Sequence, residues 1–233
     1  MKEAKKTRDV RSKSFYESFM GGTVLDIGAG DDLCVPHAQR FDKEDGDANH
    51  ILDYFSKESF DCVHSSHCLE HIYNPEKSLS DWWKLVRPQG FLITVVPHED
   101  LYEQKNWPSL FNSDHKHTFR FKKNESWSPV SYDIFELMSS LPGAKIISAQ
   151  IQDHGYIYGK QRFNFSNNIL IRKFFTKIQG LFIQFKKANH NFFSYRLLIH
   201  TALFCGVPID QTLGSTLAQI EIVAQKLEWH NSI

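Results

Sequence analysis

Apolar positions along this chain follow two rhythms. Short, nearly continuous apolar runs occur at 23–27 (TVLDI), 60–65 (FDCVHS) and 91–96 (FLITVV). Runs of that length, bounded by glycine, proline or acidic residues, predict buried strands. The stretches 38–41 and 145–151 predict two more. The stretch 216–225 (TLAQIEIVAQ) alternates apolar and polar residues and predicts a last strand. The second rhythm is helical. Leu79, Trp82, Trp83 and Val86 recur at 3–4 spacing within 75–86, with Arg87, Pro88 and Gly90 as stop signals. Segments 14–20 and 131–140 predict further helices, and 98–125 a polar, His-rich loop. Trp82 and Trp83 are expected to pack on a sheet, not to stack on a ligand. Alternating strands and helices imply an α/β sheet with helices on its faces.

Between 155 and 209 the pattern changes. Ile169, Leu170, Phe174, Ile178, Leu181, Phe182 and Phe185 fall mostly at helical spacing, and a second apolar stretch follows at 192–205. A helical hairpin or lid, inserted before the last strand, is expected. The expected organisation is one domain of residues 1–154 plus 210–233 and an insertion of residues 155–209.

Charge sharpens this division. The 233 residues carry 27 basic and 27 acidic side chains. Eight of the basic ones, Lys160, Arg162, Arg172, Lys173, Lys177, Lys186, Lys187 and Arg196, lie between 154 and 209, where no Asp or Glu occurs. The rest of the chain therefore has a balance of −8. The basic segment implies an anionic acceptor, such as a nucleotide-sugar or phosphorylated glycan, or peripheral contact with an acidic membrane leaflet. A solvated subdomain or a homodimer contact is the competing reading. No nucleic-acid-binding motif accompanies the charge, so no nucleic acid is expected. Hydrophobic residues make 41% of the chain, enough for a sizeable core. No run approaches the ~18 apolar residues of a membrane span. The N-terminus has no apolar segment after its charges, and Cys34, Cys62, Cys68 and Cys205 show no CxxC spacing. Reduced thiols and a cytoplasmic location are expected.

The candidate chemistry begins at 24–32, VLDIGAGDD. Gly28 and Gly30 permit positive φ and let a ligand lie against the backbone. The third glycine of a dinucleotide turn is missing, and Asp31 and Asp32 stand where a pyrophosphate would be repelled. The turn suits a cofactor with a cationic or hydroxyl-rich face. With GDA at 46–48, FDCVHSSHCLEHI at 60–72 and WWKLVRPQGFLITVVP at 82–97, the sequence resembles the class I S-adenosylmethionine-dependent methyltransferases. HEDLYEQ at 98–104, NSDHKHTF at 112–119 and DQTLGSTLAQIEIV at 210–223 make it similar to bacterial type 11 members associated with surface-polysaccharide genes.

The resemblance implies a Rossmann-like, doubly wound, mostly parallel sheet with an antiparallel last strand. It implies S-adenosylmethionine as cofactor. Gly28, Ala29 and Gly30 would pass under the methionine part, and Asp26 would help hold its amino group. Either Asp42 or Asp47 would bind the ribose, and Asp47 with Ala48 would meet the adenine. Ser65, Ser66 and His67 would line the cofactor. Only eleven residues, Pro36 among them, separate Gly30 from Asp42, so the helix usual there is expected to be short or irregular.

The expected reaction is O-methylation of a hydroxyl on a sugar or surface-glycan precursor. N-methylation of a small amine or phosphobase is the alternative, and a non-catalytic subunit retaining the cofactor fold is another. A hydroxyl needs a general base. His115, beside Asp114, is the first choice, with His67 and His98 as alternates and Tyr102 and Glu103 as substrate contacts. His64 and His71 are expected to be packing or surface residues. The acidic and histidine residues at 98–117 have metal-ligand chemistry, but their spacing matches no metal motif and no metal is expected.

Overall fold

A computed structural model describes residues 3–185, 187 and 192–228 of the chain. Lys186, one of the basic residues singled out above, lies outside them. The described residues form two compact units, one within 3–151 and 219–228 and the other within 152–218.

The larger unit opens with helices α1 (Glu3–Val10) and α2 (Lys13–Phe19). Its sheet strands are β1 (Val24–Ile27), β2 (Gln39–Phe41), β3 (Phe60–Ser66) and β4 (Val86–Pro97). They are followed by β5 (Thr118–Arg120), β6 (Ser131–Asp133), β7 (Ala144–Gln152) and β8 (Gln219–Lys226). Six strands form one sheet in the order β2-β1-β3-β4-β8-β7, and β5 and β6 form a separate parallel pair. β1 pairs in parallel with β2 and β3, and β3 with β4, whereas β8 runs antiparallel to β4. The Rossmann-like sheet with an antiparallel final strand is thus present.

The register positions the site. Ile27 lies beside Phe41 on one side and Ser65 on the other, so the carboxyl ends of β1, β2 and β3 share one rim. The chain moves from β1 outward to β2, then returns across β1 to β3. That reversal is the switch point where open α/β sheets bind ligands.

Helix α3 (Pro75–Leu85) shows how local sequence sets this frame. Asn74 caps it, its side chain accepting from the Lys77 N–H at 3.0 Å, and Pro75 occupies the first turn. Leu79, Trp82 and Trp83 are buried in the sheet core with Leu25, Val63, Leu92 and Ile222. The two indoles donate to the carbonyls of Ala48 and Pro142 at 3.1 and 2.9 Å. They are packing residues, as the spacing implied.

Several boundaries differ from expectation. The strand after α3 starts at Val86 and runs through Pro88 and Gly90. The predicted helix at 131–140 is strand β6 followed by helix α4 (Ile134–Ser139). Asp133 makes the break, its carboxylate accepting from the Phe135 and Glu136 N–H groups. The basic lead-in contains α1. The loop after β4 begins with a wide helical turn, Glu99–Glu103.

The smaller unit has its own core. Helices α5 (Ile169–Gln184) and α6 (Phe193–Phe204) contribute Phe175, Tyr195, Leu198, Ile199 and Ala202, joined by Ile157, Val207 and Ile209. No described helix is long and apolar enough to cross a membrane.

Candidate functional site

The glycine turn is sewn to the end of β2. The Gly28 N–H donates to the Phe41 carbonyl at 2.8 Å, and the Gly30 N–H donates to the Asp42 carboxylate at 2.6 Å. Gly28 has φ +75°, and a Cβ there would stand 2.6 Å from the Cβ of Cys68. Only glycine fits, for conformation and for space. Burial pushes the Cys68 thiol up to about 12, so it packs as a neutral group.

Asp26, on β1, is buried and multiply engaged. One carboxylate oxygen accepts from His64 Nδ1 at 2.7 Å, and the other accepts from the Cys34 N–H at 2.6 Å. Burial pushes its carboxyl up, but the facing His64 and the Cys34 N–H outweigh this and hold it below the usual carboxylate range. His64 Nε2 accepts from the Arg11 guanidinium at 3.3 Å, and Arg11 pairs with Glu221 at 2.6 Å. Arg8, one turn earlier, pairs with Asp32 and donates to the Leu33 carbonyl. The N-terminal segment therefore closes over the far end of the glycine turn.

Two adjoining cavities open at the strand ends. The first, about 350 Å³, is lined by Asp26, Gly28, Ala29, Gly30, Asp42, Ser66 and His67, together with Asp31, Asp32 and His64. The second, about 300 Å³, is lined by Gly28, Phe41, Asp42, Asp47, Ala48 and His67, together with Cys68, His71, Ile72 and Asp114. Gly28, Asp42 and His67 belong to both. The first cavity carries five carboxylate- or hydroxyl-bearing side chains and no Lys or Arg, which suits a cationic, hydroxyl-rich ligand. Ser66 Oγ is buried without a protein partner at its edge. Ser65, one residue earlier on β3, lines neither cavity; alternation along a strand separates the two. Asp47 caps the helical turn Ala48–Asp53, and hydrogen bonds from Asn49 hold its carboxyl below the ordinary range.

The predicted bases are placed differently from one another. His67 sits on the cavity wall with φ +53°, a strained backbone for a non-glycine residue. Its Nε2 contacts Gln219 Oε1 at 2.9 Å, and its Nδ1 lies 3.6 Å from Glu70. His115 is buried beside the second cavity. Its Nδ1 bonds Glu103 at 2.7 Å, and its Nε2 faces Glu70 at 4.0 Å. Tyr102 lays its ring against that of His115, 5.3 Å between centroids. His98 is buried, its Nδ1 accepting from the Asp100 N–H to cap the turn at 99–103, and burial lowers its pKa. His115, Tyr102 and His98 line neither cavity.

The sequence expectations placed His64 and His71 among packing or surface residues; both line the cavities. Alternation along β3 puts His64 on the face of Ser66, a usable signal. Arg11 was missed, because its partners His64 and Glu221 lie far off in the chain and no local pattern marks it. Glu103, expected as a substrate contact, bonds His115 Nδ1.

A family model described as a methyltransferase domain matches residues 3–128, more than half of the chain. No curated protein matches the sequence. Among solved structures, an S-adenosylmethionine-dependent methyltransferase from Archaeoglobus fulgidus is 16% identical. The match covers 96% of this chain and 94% of that one, with a TM-score of 0.50. The YcgJ protein of Bacillus subtilis is 15% identical over 93% and 96% of the two chains, with a TM-score of 0.48. The chain belongs to this methyltransferase-domain family, and its sheet order is that of the Rossmann-like methyltransferase fold.

Proposed function

We propose that this enzyme methylates a hydroxyl of a sugar or surface-glycan precursor. When bound, S-adenosylmethionine supplies a methyl group on a sulfonium, an electrophile with a good leaving group. Asp42, Gly28 and His67 line both cavities and so stand where a ribose would bridge the methionine and adenine ends. This supports Asp42 as the ribose ligand, with Asp47 and Ala48 at the adenine. Gly28, Ala29 and Gly30 form the floor under the methionine. Asp26, oriented by His64 and the Cys34 N–H, presents negative charge to the amino group. Ser66 Oγ offers a further hydrogen bond.

Holding acceptor and methyl donor in line supplies much of the rate. A hydroxyl must also lose its proton, and an amine in its neutral form already carries a lone pair. The observation that carries the hydroxyl reading is the imidazole–carboxylate pair on the cavity wall, His67 Nδ1 with Glu70 at 3.6 Å. His67 would take the acceptor's proton, and Glu70 would stabilise the imidazolium that forms. His67 is favoured over His115 and His98 because it alone of the three lines the cavities.

The acceptor side is supported by the smaller unit. Leu170, Phe174, Leu181 and Phe185 form an exposed stripe on α5, flanked by Lys173 and Lys177. An apolar stripe bordered by lysines fits the surface of an anionic leaflet carrying a lipid-linked or phosphorylated acceptor. Lys173→Glu/Lys177→Glu should abolish co-sedimentation with phosphatidylglycerol vesicles and leave cofactor affinity unchanged.

The central test is methyl transfer from labelled S-adenosylmethionine to a panel of nucleotide-sugars, sugar phosphates and small amines. Sugar hydroxyls should be labelled, and His67→Gln should lower kcat roughly 100-fold, within the range of general-base effects. Labelling of amines alone would overturn the hydroxyl reading.

A further inference from the structure

Glu70 is 1% exposed, and its Oε2 is buried without a hydrogen-bond partner. Around its other oxygen three imidazoles converge: His67 Nδ1 at 3.6 Å, and the Nε2 atoms of His71 and His115 at 3.9 and 4.0 Å. The His71 and His115 rings meet edge to face, 5.0 Å apart. The far nitrogen of each of these two rings is committed. His71 Nδ1 faces Asp114 Oδ2 at 3.0 Å and the Asp114 carbonyl at 3.2 Å. His115 Nδ1 faces Glu103 Oε1 at 2.7 Å. These partners are all acceptors, so in a neutral ring each Nδ1 carries the proton. Each Nε2 then turns a lone pair toward a carboxylate. Two lone pairs and a buried anion converge on one point, an arrangement that needs a cation at its centre.

We propose that Glu70, His71 and His115 bind one divalent first-row transition-metal cation beside the cofactor cavity. Three features select this chemistry. The donor atoms lie within 4.8 Å of one another. Ligands about 2.1 Å from one ion stand roughly 3–3.5 Å apart, so closure needs a contraction of at most about 1–2 Å. Each histidine is oriented by a carboxylate on its other nitrogen, the usual outer support of a metal-bound imidazole. Two imidazoles and one carboxylate favour the manganese-to-zinc series over magnesium, which prefers oxygen ligands.

Three protein ligands leave coordination positions open. His67 lines both cavities and its Nδ1 lies 3.6 Å from Glu70, so an acceptor reaching the wall at His67 has a route to the ion. An acceptor hydroxyl bound to it would lose its proton more readily, and a second oxygen of the acceptor would fix the orientation. That role rests on the methyl-transfer reading. Binding itself rests only on the cluster.

The test is titration of chelator-stripped full-length protein with Zn²⁺, Co²⁺ and Mg²⁺, followed by calorimetry and by the visible absorption of Co²⁺. One equivalent of Zn²⁺ should bind at least 100-fold more tightly than Mg²⁺. Bound Co²⁺ should show the intense bands of a low-coordinate nitrogen/oxygen site. Glu70→Gln and His115→Ala should each weaken Zn²⁺ at least 100-fold, and exposed His50→Ala should not. Glu103→Gln keeps a neutral acceptor for His115 and preserves the fold; it should weaken Zn²⁺ 10–100-fold. A proton on one imidazole is the competing closure. It predicts no stoichiometric ion, and that result would overturn the proposal, as would undiminished binding in Glu70→Gln and His115→Ala. Calorimetry with S-adenosylmethionine on the same stripped protein separates the two readings. Cofactor binding and full turnover without metal would remove the ion and leave the methyltransferase standing.

Discussion

Two buried carboxylate–imidazole clusters adjoin the strand-end cavities, and they are built from nearly the same groups. One is Asp26, Cys34 and His64; the other is Glu70, His71 and His115. In the first, both carboxylate oxygens and both imidazole nitrogens have partners within the chain. Asp26 accepts from His64 and from the Cys34 N–H, His64 Nε2 accepts from Arg11, and Arg11 is neutralised by Glu221. Burial raises the Cys34 thiol pKa, so it stays neutral. In the second cluster, no Arg or Lys pairs with the Glu70 carboxylate among the described ion pairs, and Glu70 Oε2 has no partner. The chain supplies a cation to one cluster and leaves the other to acquire one. A His/acid cluster closed by its own arginine is scaffolding for the cofactor turn. A cluster whose supported imidazoles point their lone pairs at a carboxylate with no Lys or Arg beside it is prepared for something else.

Removing the internal cation should have the largest effect. Arg11 and Glu221 side chains are 2% and 1% exposed, so Arg11→Leu strands a buried carboxylate. The expected loss is about 3–5 kcal/mol of unfolding free energy, read from guanidinium denaturation. A loss under about 1 kcal/mol would mean that water or local rearrangement replaces Arg11, and the contrast would fail.

The second cluster should respond in activity, not stability. His115→Gln should reduce turnover at least 100-fold, equivalent to about 2.7 kcal/mol of transition-state stabilisation. Its denaturation midpoint should stay close to that of the parent. Parallel loss of stability and activity would make His115 a structural residue like His64. Asp42→Asn is a smaller perturbation at the rim between the two. The Asn side chain can still accept from the Gly30 N–H but loses the charge offered to the ribose hydroxyls. An increase of about tenfold in the Kd for S-adenosylmethionine is expected from calorimetry, in the range of a charged hydrogen bond. An unchanged Kd, with a larger effect in Asp47→Ala, would move the ribose ligand to Asp47.

How much of this is legible in the sequence follows from distance along the chain. The strand before Gly28, the strand at 60–66 and helix α3 rest on local periodicity, and each was readable within two residues at most boundaries. Asp133 shows the limit: its capping side chain divides 131–140 into strand and helix, and helical spacing alone does not reveal this. Most of the residues that line the two cavities were readable because they fall next to recognisable strand ends. The clusters were not. Arg11 meets Glu221 across 210 residues, and His115 meets Glu103 and Glu70 across a loop whose path no short-range pattern encodes. The separation of Ser66 from Ser65 was available from strand alternation, and with it the cavity-facing His64.

Acid titration gives the smallest and most discriminating contrast. Asp26 is held below the ordinary carboxylate value by His64 and the Cys34 N–H, against the opposing effect of burial. Its contribution to stability is therefore fully present above its unfolded pKa, near 3.9, and is lost as pH falls through the lower folded value. Asp26→Asn should flatten that part of the stability profile below about pH 4 and leave stability at pH 7 more weakly dependent on acid. Because the closing cation is Arg11, the same acid limb should appear with and without Zn²⁺ in the parent. A Zn²⁺-dependent rise in Tm at pH 7 should instead survive in Asp26→Asn and vanish in Glu70→Gln. If Asp26→Asn abolished the Zn²⁺ response and Glu70→Gln kept it, the two clusters would have exchanged roles, and Arg11 would be a gate on a metal site in place of its substitute.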